Sequence, residues 1–358
     1  MIPSEENLEP AWLSEQLAAN GIEAKVKSFR KRRIGTGQIG KCLRLTLDYA
    51  PGADPAAPAT LVLKLPSDDE TSRATGVMLL NFLKEVRFYQ ILQSRLSIRT
   101  PRCYYAEIEG QGPSFAILLE DLQPAEQGDQ LAGTHEAVAR AAVLDLVGLH
   151  APLWQSDELD AHPDWLYASN QADEGSAGDL YRLQLPGFLE RFGPGLDADQ
   201  REIIAAYGEA MGHVRPPPGQ PRALVHVDYR LDNLLIDERE TPVRTTAVDW
   251  QSITAGSPLA DVAYFIGAGL RAEARRVCEQ ALVSDYHAAL LAAGVSGYDA
   301  QTCWRDYRLG TFAGFGVTVI AAMIVQRTER GDEMFMTMAR RHSRHALDHD
   351  ALTLLRSF

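Results

Sequence analysis

Three oxygen-bearing side chains fall close together in the chain: Asp228 in His226-Val227-Asp228-Tyr229-Arg230-Leu231-Asp232-Asn233, Asn233 five residues later, and Asp249 sixteen beyond that. Transfer of a γ-phosphoryl group asks a protein for a carboxylate near the acceptor hydroxyl and hard oxygen ligands for Mg²⁺. It also needs cationic and backbone N–H groups to hold the phosphates in line. The spacing lets Asp228 face an acceptor as base while the Asn233 amide oxygen turns to a metal. Asp249 follows the apolar pair Ala247-Val248, which brings a second metal-binding carboxylate to a strand end. Arg230, two residues past Asp228, offers a cation for the transferring group; a solvent-facing arginine is the other account of it. A polar turn built on Asn and Asp would also explain the loop, but the complete set between two apolar segments favours phosphotransfer.

The first third of the chain offers the remaining parts. Lys64 lies in the apolar run Thr60-Leu61-Val62-Leu63-Lys64-Leu65, where an unpaired charge is costly and a partner is implied. Glu85, on a helical stretch further along, is the candidate partner, leaving Lys64 to meet the α- and β-phosphates of a nucleotide. Gly35, Gly37 and Gly40 satisfy G-x-G-x-x-G, and 35–41 also begins like a Walker A loop. Both helix-based readings need a helix next, whose N-terminus would meet the phosphate. The residues after the loop alternate like a strand instead, and position 42 is Cys rather than Ser or Thr. A hairpin loop folded over the phosphates survives that test, as does a plain turn. Glu120-Asp121-Leu122 closes an apolar strand where a hinge would meet the nucleotide base, making Glu120 and Leu122 candidates for that contact.

The elements that must position these residues are legible from periodicity. Residues 42–49 place Leu43, Leu45 and Leu47 on one face and Arg44, Thr46 and Asp48 on the other, the pattern of a half-buried antiparallel strand. Further strands are expected at 25–34, 60–65, 103–108 and 115–119, with an amphipathic helix over 79–92. After residue 122 the pattern turns helical, at 135–150, 181–192 and 198–214, and again from about residue 261 onward. A short β-rich interlude, 223–248, carries the Asp228 loop. The apolar run 311–325 is shorter than the ~20 residues of a spanning helix and reads as a buried core helix.

Composition narrows the partners. The chain has 358 residues and a formal net charge of −13, so nucleic acid is disfavoured and two lobes are expected. Residues 1–122 carry 15 basic and 15 acidic side chains, so the entire excess of negative charge lies in 123–358. That asymmetry suits a nucleotide on one side and a neutral or cationic acceptor on the other; a solubilising acidic face is the plain alternative. Four widely spaced cysteines and an acidic start without an apolar run fit a cytoplasmic protein with reduced thiols and no membrane partner.

The segments 225–233, Val248-Asp249-Trp250-Gln251, Gly256-Ser257-Pro258 and Asp261-Val262-Ala263-Tyr264-Phe265 resemble the aminoglycoside phosphotransferase and choline kinase superfamily. More narrowly, they are similar to its ecdysteroid-kinase-like branch. The resemblance implies an α+β, protein-kinase-like two-lobe fold over nearly the whole chain. Its parts would be a nucleotide-binding N-lobe, 1–122, with an antiparallel sheet and one helix, and a mainly helical C-lobe, 123–358. It implies ATP or GTP with Mg²⁺, Asp228 as catalytic base, Asn233 and Asp249 as metal ligands, and His226 and Asp261 as braces of the loop. The run Glu85-Val86-Arg87-Phe88-Tyr89 strengthens Glu85 as the partner of Lys64. Against a protein kinase stand Val227 in place of the usual Arg, Asp249-Trp250-Gln251 in place of D-F-G, and the missing A-P-E. The expected activity is therefore transfer to a hydroxyl of a small molecule, either an amine-bearing or a lipophilic alcohol. A nucleotide-binding scaffold without transfer activity is the alternative.

Overall fold

A computed structural model describes residues 2–35, 39–166, 177–211, 217 and 219–357. They divide into two compact units, the first formed by Met1–Arg95, Thr100–Pro124 and Asp249–Gln251, the second by the rest.

The first unit opens with α1 (Pro10–Ala19), whose Leu13 and Leu17 are fully buried. Strands β1 (Val26–Ile34), β2 (Gly40–Tyr49) and β3 (Thr60–Pro66) succeed it. Helices α2 (Glu70–Met78) and α3 (Asn81–Arg87) come next, then β4 (Cys103–Ile108) and β5 (Phe115–Glu120). The sheet runs β1-β2-β3-β5-β4 with every pairing antiparallel. Leu43, Leu45 and Leu47 of β2 are buried with Leu61, Leu63 and Leu118 and with the α1 leucines, so the alternation in the sequence does report the buried face. The helix expected over 79–92 starts later. Leu80 takes a left-handed backbone (φ 57°) that separates α2 from α3, and α3 runs on into a π-helical turn, Phe88–Leu92. Asp69 caps α2 through the Ser72 N–H at 2.7 Å. Gly76 lets α2 close on Phe82, whose ring would lie 2.4 Å from an added Cβ.

The second unit contains β6 (Glu126–Gln127), α4 (Glu136–His150), α5 (Ala177–Phe192) and α6 (Ala198–Ala210). Positions 212–214 of the helix expected over 198–214 lie outside the described residues. Then come β7 (Ala223–Val225), β8 (Leu234–Asp237), β9 (Arg244–Ala247) and β10 (Thr254–Gly256), which form two small sheets, β10-β7 and β6-β8-β9. Helices α7 (Pro258–Gly269), α8 (Ala272–Ala292), α9 (Ala300–Gly310), α10 (Ala313–Ile324), α11 (Glu329–Asp348) and α12 (Ala351–Leu355) complete it. Helix α7 is apolar nearly all round and buried nearly all round, as a core helix should be. The apolar run at 311–325 forms α10, which buries Phe315, Val319 and Ala322 beside Phe188, Phe192 and Phe335. The span Ala300–Ile324, comprising α9 and α10, has the length and hydropathy of a membrane-crossing helix, with half of it buried.

Candidate functional site

In the first unit, β3 turns Leu61, Leu63 and Leu65 to the core and Lys64 to the opposite face. There the Lys64 Nζ lies 2.6 and 2.8 Å from the two oxygens of Glu85 on α3, and 2.7 Å from Asp249 Oδ1. Burial works against the ammonium, but Asp249 and Glu85 overcome it and raise its pKa above the ordinary lysine value. Two carboxylates share this one cation. Burial first, and then the negative charge of Asp249, push the Glu85 carboxyl up to about 7 despite the contact with Lys64. Asp249 sits in the left-handed region (φ 67°), a strained setting for a residue other than glycine. Its neighbours pin it: the Trp250 ring stacks on Phe88 at 3.9 Å between centroids, and the Asn81 amide donates to the Gln251 carbonyl at 2.9 Å. These contacts explain why 249–251, expected with the second lobe, pack in the first unit.

The strands that flank the glycine segment, β1 and β2, pair antiparallel, with Ile34 opposite Cys42. Gly35 has φ 71°, which favours glycine, and Gly37 lies outside the described residues. An added Cβ at Gly40 would meet both Lys64 Cε and the Leu65 carbonyl at 3.2 Å, so this glycine leaves room for the lysine stem. At the end of β5 the exposed Glu120 accepts from the Arg102 N–H at 3.1 Å, and Leu122 is half-buried. Between them Asp121, which no sequence motif singles out, takes a two-pronged ion pair from Arg44 at 2.6 and 3.0 Å.

In the second unit the loop between β7 and β8 carries Asp228, Arg230 and Asn233. Val227 is forced to φ 73°, an outlier for a β-branched residue. Asp261 on α7 holds it there, accepting the His226 N–H at 2.7 Å on one oxygen and the Val227 N–H at 2.9 Å on the other. The His226 ring reaches the Val248 carbonyl at 3.0 Å. These contacts give His226 and Asp261 the geometry of braces. Gln130 clamps the loop's far side: its backbone N–H donates to Asp232 at 3.0 Å, and its side-chain oxygen accepts from the Leu231 N–H at 3.1 Å. Nothing in the sequence pattern marks Gln130.

The Asp228 carboxylate is held at both oxygens. Oδ1 accepts from the Tyr264 hydroxyl at 2.8 Å and from Arg230 Nε at 3.0 Å, and Oδ2 accepts from Asn233 Nδ2 at 2.9 Å. Burial, and then the Asp228 charge, keep the Tyr264 hydroxyl protonated far above its usual pKa, so it acts as a donor. Arg230 is not solvent-facing: it also reaches Asp232 at 2.6 Å, lying between two carboxylates of its own loop. Asn233 commits its amide nitrogen to Asp228, which leaves the amide oxygen as the end that can face a cation. Tyr264 belongs to the D-V-A-Y-F run, but residue types alone assign it no part in the chemistry. The signal that could have found it is its place three residues after Asp261, on the same helix face.

Comparison with known proteins fits this geometry. The model of the ecdysteroid kinase-like family matches residues 35–294. Acyl-CoA dehydrogenase family member 11 of Gallus gallus is 43% identical over 49 residues. That match covers 14% of this chain and 6% of the relative, so the chain corresponds to a small part of it. Among solved structures, a Ralstonia eutropha protein assigned as an aminoglycoside phosphotransferase aligns over 94% of this chain and 98% of its own, with 17% identity and a TM-score of 0.52. The GDP complex of aminoglycoside 2'-phosphotransferase-IIIa aligns over 94% and 99%, with 13% identity and a TM-score of 0.52. At such identities the likeness establishes the fold, a protein-kinase-like one with an antiparallel-sheet N-lobe and a helical C-lobe. The matched span covers most of the chain, and the chain belongs to the ecdysteroid kinase-like family.

Proposed function

We propose that this chain transfers the γ-phosphoryl group of ATP or GTP to a hydroxyl of a small molecule. The observation that carries this is Lys64 held by both Glu85 and Asp249. A buried lysine bound to two carboxylates adds little to stability, since desolvating three charges offsets much of their attraction. The same arrangement keeps an ammonium extended and ready for nucleotide phosphates. Gly35 and Gly40 would bring backbone N–H groups to those phosphates, and the backbone of 120–122 would meet the base.

Asp228, with its carboxylate fixed by Tyr264, Arg230 and Asn233, would receive the proton of the acceptor hydroxyl as that oxygen bonds to phosphorus and the bond to the β-phosphate oxygen breaks. Arg230 would offset charge that develops on the transferring group. Asp249 in the first unit and Asn233 in the second each offer a hard oxygen of the kind that suits Mg²⁺. When bound, Mg²⁺ supplies charge neutralisation at the phosphate oxygens. The acidic excess of 123–358 favours an amine-bearing alcohol, and the apolar side chains of α10 and α11 keep a lipophilic alcohol in the test.

The test is a panel of amine-bearing and lipophilic alcohols with ATP or GTP, scored for phosphorylated product with and without Mg²⁺. Turnover that needs Mg²⁺ and nearly disappears in Asp228→Ala and Asp249→Ala is the expected result. Absence of both turnover and thermal stabilisation by Mg-nucleotide would overturn the proposal.

A further inference from the structure

Away from the residues given a part in phosphotransfer, two histidines four apart at the end of α11 turn toward one carboxylate of α8. His345 Nε2 and His349 Nε2 lie 3.5 and 3.1 Å from Glu279 Oε2. The Tyr307 hydroxyl of α9 lies 3.1 Å from the same oxygen and 2.9 Å from His345 Nε2. Arg275 Nη1 donates to that oxygen as well, at 2.6 Å. An oxygen with two lone pairs is thus crowded by more polar groups than it can accept from. The crowding is buried: His345 is wholly inaccessible and Glu279 nearly so.

Those separations have the size of a metal's ligand polyhedron. Nitrogen and oxygen ligands bound tetrahedrally to zinc at about 2.0–2.1 Å stand roughly 3.4 Å from one another. The ligand atoms of Glu279, His345 and His349 all lie within 4.8 Å of one another. We infer that Glu279, His345 and His349 form a binding site for a divalent cation of the zinc class, with the Tyr307 oxygen or a water as fourth ligand.

The surroundings fit this assignment. Imidazole nitrogens with one carboxylate select zinc-like ions over magnesium, so the site is chemically distinct from the oxygen donors of Asp249 and Asn233. Arg275 bridges from Glu279 to Asp348, which Arg276 also holds at 2.8 Å. Asp348 therefore offsets the arginine charge next to the site. Arg275 is then the outer donor that orients a ligating carboxylate. Gly267 of α7 packs under the other edge of the His345 ring, where an added Cβ would meet Nδ1 at 2.5 Å, so Nε2 is the nitrogen presented to the ion. The site draws its ligands from α8 and from the end of α11, beside α9, so the ion would tie these helices together.

The experiment uses the full chain purified without chelator. Metal analysis should find about one zinc ion per chain. After stripping, zinc chloride should raise the Tm, and cobalt chloride should produce the visible absorption of a four-coordinate nitrogen-ligated site. Asp249→Ala should keep the zinc. His349→Ala should lose both the zinc and the cobalt band, with far-UV dichroism like that of the stripped wild type. Wild-type protein with no zinc, no cobalt band and no zinc-induced rise in Tm overturns the inference, whether or not the variant folds. Zinc and a cobalt band that survive His349→Ala overturn it too.

Discussion

The hydroxyl of Tyr264 donates to Asp228 Oδ1 across 2.8 Å, from a helix that reaches the same loop again through Asp261. One turn of α7 thus sets both the backbone of the loop and the direction of its carboxylate. A hydrogen bond to a charged group contributes about 1.5–3 kcal/mol. In the phosphotransfer assay Tyr264→Phe should lower kcat by roughly tenfold with little change in the KM for nucleotide. Steady-state kinetics would check this, and an unchanged kcat would remove Tyr264 from the site.

Asp261 accepts two backbone N–H groups and keeps Val227 in its left-handed conformation. Asn would match one donor and oppose the other with its own NH₂ group. Asp261→Asn should therefore destabilise the protein by about 1–3 kcal/mol, the cost of an unsatisfied buried donor, with any relaxation of Val227 recovering part of it. Urea unfolding of wild type and variant measures it.

Burial strips the Lys84 ammonium of water and lowers its pKa to about 8. The folded state therefore holds this proton less tightly than the unfolded chain does. Between about pH 8 and the ordinary lysine value of about 10.4, the unfolded state binds more protons, and stability rises with pH. Below that window the folded protein carries a buried charge at a cost of about 3 kcal/mol. Wild type should gain stability from about pH 8 to about pH 10 relative to Lys84→Met, which lacks the titrating group. Denaturation midpoints at the two pH values decide it.

Gly310 ends α9 against α7, where an added Cβ would come within 2.5 Å of the Leu259 carbonyl oxygen. That oxygen belongs to a helix backbone and cannot swing aside. Gly310→Ala should lower stability by about 1–3 kcal/mol through overpacking. Differential scanning calorimetry should show a lower Tm, and an unchanged Tm would mean that the helices move apart freely.

The local elements were legible because burial imprints a period on the chain. Leu43, Leu45 and Leu47 announce a strand with one buried face, and the H-x-D-x-x-x-x-N spacing announces a polar loop between apolar strands. Where a left-handed residue breaks the pattern, as at Leu80, periodicity runs past the break, since an apolar side chain gives no sign of its own φ.

By itself, then, the sequence determined the strands, the loop carrying Asp228 and the family resemblance, all of which depend on residue order and short spacing. Tertiary structure alone decided which further charges meet. Lys64 pairs with Glu85, the partner the sequence suggested, but also finds Asp249 at a separation of 185 residues, and Glu279 meets His345 and His349 from another helix. It also decided that Asp249–Gln251 pack in the first unit and that Tyr264 turns to Asp228. The physical reason is that a hydrophobic period requires only a neighbouring apolar surface, whereas an ion pair requires one particular partner. The folded path of the backbone selects that partner.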